Sequence, residues 1–87
     1  MHAVVVRVTI KDVDASISVL REKTVPGVQQ VPGFVAGYWT RKDDSGLSMI
    51  IFDSEDAANA ASERVPSFIP DSVTLEDVEV REVAAHA

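Results

Sequence analysis

Arg7 is the sharpest polar feature of the chain, a guanidinium set inside Val4-Val5-Val6-Arg7-Val8, an otherwise apolar strand. Held fixed beside a substrate, such a group stabilises the oxygen charge that develops on an enolate or phenolate. Its structural alternative is a salt bridge to an acid of the last strand, Glu79 or Glu82. Tyr38 and Trp39 are the side chains able to orient an aromatic ring. Neighbours in a strand face opposite ways, so at most one of them lines a given pocket, and both serve equally as core or interface packing. Asn59 is a further pocket candidate, with a solvated helix position as the alternative.

Other chemistries lack their residues. There is no cysteine, hence no thiolate and no disulfide framework. His2 and His86 stand near the two ends of the chain, so no Ser/His/Asp set and no metal site can be built from their sequence neighbours. Asp43-Asp44 reads as turn chemistry and Glu55-Asp56 as a helix start, not as a catalytic carboxylate pair. No glycine-rich phosphate loop occurs. The residues therefore lead us to expect no metal and no cofactor.

The net charge of −6 argues against nucleic acid, which needs a clustered positive surface. The basic residues are scattered, and Arg41-Lys42 is followed at once by Asp43-Asp44. No run of eighteen apolar residues spans a membrane. Val4 to Val6 run straight into Arg7, Lys11 and Asp12 with no signal-type cleavage site. A cytoplasmic protein is the expectation.

These residues must be positioned by a small scaffold, because 87 residues support one core, a single domain over 1–87. Ala3 to Ile10 is β-branched almost throughout, with Val4, Val6, Val8 and Ile10 on one face and Ala3, Val5, Arg7 and Thr9 on the other. Asp12 or Asp14 opens a helix whose stripe is Val13, Ile17, Leu20 and Thr24. Pro26-Gly27 ends or kinks it. Val25 to Phe34 then reads as two turns flanking a short irregular helix. Phe34 to Arg41 and Leu47 to Phe52 are strands around the polar loop Lys42-Asp43-Asp44-Ser45-Gly46, whose glycine suits a hairpin. Asp53 or Ser54 caps a second helix with Ala57, Ala61, Val65 and Phe68 inward, stopped by Pro66 and Pro70. Val73 to Val83 is the last strand. The order is β-α-β-β-α-β, an α+β ferredoxin-like sandwich with two helices on one face of a four-stranded antiparallel sheet.

Two helices cover only one face of such a sheet, yet the first and third strands are apolar on both. Val5 lies opposite Val4 and Val6, while Leu47, Met49 and Ile51 lie opposite Ile50 and Phe52. Each such side chain left in water forgoes roughly 1.5–3 kcal/mol of burial. About six of them is a large sum against a domain stability of about 5–15 kcal/mol. A two-fold homodimer that stacks the two apolar sheet faces is the expected solution.

Pro32-Gly33-Phe34 with its following strand and hairpin, and then Phe52-Asp53-Ser54-Glu55-Asp56-Ala57, resemble the dimeric α+β barrel superfamily. Within it the chain is most similar to the antibiotic-biosynthesis monooxygenase-like domains. That resemblance implies a ferredoxin-like monomer, a barrel shared by two subunits, and a pocket between the helices and sheet of each. The family's enzymes divide broadly into cofactor-independent oxygenases of aromatic polyketides and haem-degrading oxygenases, beside members with no known reaction. The asparagine and tryptophan positions of the haem-degrading members fall near Arg7 and at Ala61, and no histidine lies between His2 and His86, so haem is not expected. The leading expectation is a cofactor-free monooxygenase of an electron-rich phenol, oriented by Arg7 and one of Tyr38 or Trp39. The alternative is a non-catalytic dimeric binding or interaction module, favoured by the alanines of the second helix where relatives carry a histidine or an aromatic.

Overall fold

The computed structural model describes residues 1–87, and its elements follow the expected β-α-β-β-α-β order. Strand β1 (His2–Ile10) is central, pairing antiparallel with β3 (Ser45–Phe52) on one side and β4 (Val73–Glu82) on the other. Strand β2 (Phe34–Lys42) completes the order β2-β3-β1-β4, the ferredoxin-like arrangement. Residues aligned across the sheet form rows, among them Glu79–Val5–Met49–Tyr38 and Asp77–Arg7–Leu47–Thr40. Two bulges break the register, one at Val35 on β2 and one at Glu76 on β4.

The helix on the first crossover is distorted ahead of Pro26 but does not end there. Helix α1 (Val13–Val19) begins at Asp12, whose Oδ1 accepts from the Ala15 amide at 3.1 Å. It passes through a π-helical turn, Leu20–Thr24, into α2 (Val25–Gln29), with the Val25 amide donating to the Leu20 carbonyl five residues back. Pro26 neither ends the helix nor leaves it regular. Proline has no N–H and its ring crowds the carbonyl four residues before it, here Glu22. The wider π turn just ahead of Pro26 relieves that crowding, so the helix continues for one more α-helical turn.

Helix α3 (Glu55–Phe68) starts at Ser54, whose hydroxyl accepts from the Ala57 amide at 3.1 Å, with Glu55 and Asp56 in its first turn, where the dipole favours them. It runs two residues beyond Pro66 instead of stopping there. Ala58, Ala61 and Val65 are buried, and the small side chains let the helix sit close against β1, β3 and β4. The hairpin is tighter than the polar loop implies. Both strands run up to a two-residue turn, with Asp43 at φ 54, a left-handed value that aspartate tolerates better than most residues. Gly46 is therefore not the turn glycine. It lies within β3, where a Cβ would approach Val8 Cγ2 to 2.7 Å.

Both helices cover the same face, and the core lies there. Val4 and Phe52 are its most deeply buried large side chains, joined by Val6, Val28, Val31 and Ile50. Phe34 meets Phe52 edge to face, with ring centroids 6.3 Å apart. The opposite face has no covering element in the protomer, and Tyr38, Leu47 and Met49 stand 64%, 48% and 44% exposed there. No helix is long and apolar enough to cross a membrane.

Candidate functional site

The first helix stands off the sheet, and the space beneath it is a cavity of about 410 Å³. That is within the roughly 300–1,000 Å³ usual for small-molecule sites. Its floor is the helix-side face of the sheet: Val6, Val8 and Ile10 of β1, Trp39 and Arg41 of β2, and Gly46, Ser48 and Ile50 of β3. Its roof is the stripe Val13, Ile17, Leu20, Thr24 and Val28, together with Ser16, Arg21 and Val25. These positions recur at steps of three and four, one broad face of a helix. Phe68 and Ile69, from the end of α3, close one side.

Two local devices shape this space. Trp39 lies flat along its own strand, so that a Cβ on Gly37 would come within 2.8 Å of the indole. Gly37 thus lets the ring lie down on the sheet as a platform. The π turn places Leu20, Arg21 and Thr24 on the roof. Such turns recur at functional sites, because they break the regular spacing of side chains.

The polar groups at the cavity divide into satisfied and free ones. Ser16 is buried, and its hydroxyl lies 2.7 Å from the Asp12 carbonyl and 3.0 Å from the Ser72 hydroxyl, so its role is to tie α1 to the start of β4. Arg41 donates from Nη1 to the Asp43 carbonyl at 3.0 Å and has no carboxylate partner. Arg21, Thr24, Trp39 and Ser48 take part in no side-chain hydrogen bond within the chain. The lining contains no aspartate, glutamate or histidine.

Of the four residues singled out from the sequence, Trp39 lines the cavity and the other three do not. Arg7, expected in the pocket, is not there: Val6 and Val8 point to the helices, so strand alternation sends Arg7 to the uncovered face, where it is exposed. Nor does it form the expected bridge, since Glu79 pairs with Arg81 at 2.8 Å and Arg7 stands in register with Asp77. Tyr38 shares that uncovered face, in line with Met49. Asn59 is exposed on α3, away from the cavity, and its carbonyl accepts from Ser62 Oγ at 2.7 Å. His2 is not a loose terminal residue but the first residue of β1, with Nε2 3.2 Å from Glu55 Oε2 and Nδ1 buried without a partner. It too lies outside the cavity.

Arg21, Arg41, Thr24 and Ser48 were missed. Arg21 had a readable signal, since it lies four residues after Ile17 and three before Thr24, at the edge of the apolar stripe. Arg41 was passed over because Asp43 and Asp44 follow it closely, although neither carboxylate reaches its guanidinium.

No protein-family model matches the chain, and no curated protein matches it. Among solved structures the chain is similar to a point mutant of SnoaB, a cofactor-independent oxygenase from Streptomyces nogalater. The TM-score is 0.73 at 19% identity, covering 98% of this chain and 94% of that one. An overlay of that extent at so low an identity means that the two chains share a fold, the ferredoxin-like βαββαβ sandwich.

Proposed function

We propose that this protein binds a flat aromatic, polyketide-like molecule in the helix–sheet cavity and oxidises it with dioxygen without a cofactor. The observation that carries the reading is the cavity itself: about 410 Å³, walled by valine, leucine and isoleucine, with the indole of Trp39 as a platform. A phenol or anthrone ring stacks on that indole, and the apolar walls keep water from the reacting carbon. In the overall reaction an activated CH₂ becomes C=O. One oxygen atom of O₂ enters the product and the other leaves as water with the two hydrogens. The shared fold with a cofactor-independent oxygenase supports this choice of chemistry. The acting unit is a cytoplasmic homodimer that buries the uncovered sheet faces of two copies against each other.

A second reading, a binding module without turnover, is favoured by one observation: no side chain lining the cavity is a ready proton acceptor. Oxygen uptake with anthrone separates the two. The oxygenase reading expects one O₂ consumed and one anthraquinone formed per anthrone, above the rate with heat-inactivated protein. A thermal shift with anthrone but no excess uptake supports the module. No shift and no uptake defeats both.

A further inference from the structure

Arg21 and Arg41 are the two charges on the cavity lining, and no carboxylate accompanies them there. This is unexpected on composition alone, because the chain carries 14 acidic residues against 8 basic ones. The two arginines come from opposite walls, Arg21 from the π turn of the roof and Arg41 from the end of β2 on the floor. Both are exposed, so their guanidinium groups lie at the water-facing margin, not in the depth of the site. The close contacts between basic and acidic side chains are Arg81–Glu79 and His2–Glu55, the second an ion pair only when the imidazole is protonated, which leaves both cavity arginines without an ionic partner. Arg21 is also the one charge on the roof, at the edge of the apolar stripe, four residues after Ile17 and three before Thr24.

We infer that the cavity selects aromatic acids: the ring enters against Trp39, and its ionised carboxylate is held at the mouth between Arg21 and Arg41. This rests on the aromatic-site reading above and adds the charge of the ligand to it. The physical case is geometric. A guanidinium presents a planar fork of N–H donors that matches the two oxygens of a carboxylate, and it keeps its charge at any ordinary pH. The Arg41 hydrogen bond to the Asp43 carbonyl uses one donor and anchors the group to the hairpin, leaving the rest of the fork free. The net negative charge of the protein otherwise repels an anion, so these two groups give the approaching acid its one favourable entry.

The test is calorimetric titration with a matched pair of probes, 2-naphthoate and its neutral amide 2-naphthamide, on the wild type, Arg21→Gln and Arg41→Gln. The acid is expected to bind about tenfold tighter than the amide, the scale of a charge-assisted hydrogen-bonded pair. Each substitution should remove most of that preference and leave the affinity for the amide unchanged, which also shows that the variant is folded. Equal affinities for acid and amide in the wild type overturn this inference while leaving the aromatic site standing. Loss of both probes in a variant, or a preference that survives both substitutions, also overturns it. Failure of both probes on the wild type removes the aromatic-site reading itself.

Discussion

Met49→Lys should separate the proposed dimer from the folding of the protomer. Met49 occupies the middle of the uncovered face, in the row Glu79–Val5–Met49–Tyr38, and is 44% exposed in the protomer. Fully burying a methionine side chain is worth roughly 1.5–3 kcal/mol, so covering the remaining part gains about 1 kcal/mol per copy. A two-fold interface counts it twice, about 2 kcal/mol. Lysine forfeits that gain and sets an ammonium against an apolar surface, at a further cost of about 1 kcal/mol per copy. The sum of about 4 kcal/mol weakens association about a thousandfold. In the isolated protomer the lysine stem lies along the sheet with its charge in water, so folding stability should move by no more than about 0.5 kcal/mol. Light scattering across a dilution series is the assay. The wild type should run at about twice 9.4 kDa in the micromolar range, and the variant at 9.4 kDa with a melting temperature independent of concentration. A wild type that already runs at 9.4 kDa, or a variant that dimerises as tightly as the wild type, refutes the reasoning.

Three further outcomes follow from the geometry. Gly33 has φ +86, and a Cβ there would lie 2.7 Å from Ala57 Cβ and 2.8 Å from Asp53 Oδ1, so Gly33→Ala should cost about 1–3 kcal/mol, read as a lower urea midpoint. Phe52 is 1% exposed, and Phe52→Ala should cost about 3–5 kcal/mol, enough to lower the melting temperature sharply or to prevent folding. Arg7→Ala should leave ligand affinity and oxygen uptake unchanged, since Arg7 lies on the uncovered face, whereas Trp39→Ala should weaken naphthamide binding about tenfold. The reverse pattern in titrations of those two variants would move the site to the other side of the sheet.

Local periodicity alone determined the element order of this protein. Alternation of β-branched residues marks β1, and Asp12 and Ser54 mark the helix starts. These signals are carried by residues within one turn of each other, so no distant contact is needed to read them. The largely apolar character of β1 and β3 on both sides was equally legible, because it depends only on strand parity. That same property hid the site. With both faces of β1 and β3 apolar, nothing in the sequence said which one the helices cover, and Arg7 was assigned to the pocket although its own strand pattern set it opposite Val6 and Val8. Packing of α3 decided the matter: its buried alanines dock on the Val4–Val6 side, which sends Trp39 inward and Tyr38 outward. Of the two alternatives at Pro26, ending or distorting the helix, the structure takes the second, and Pro66 does not stop α3. Pro26 and Pro66 carry a strong local bias against helix, but a wider turn ahead of Pro26 and the packing of Phe68 against Gly27 outweigh it. Arg21 and Arg41, twenty positions apart and on different layers, both line the cavity. Only the packing of the first helix over the sheet places both on the lining of one cavity, because no local pattern links a helix position to the end of a distant strand.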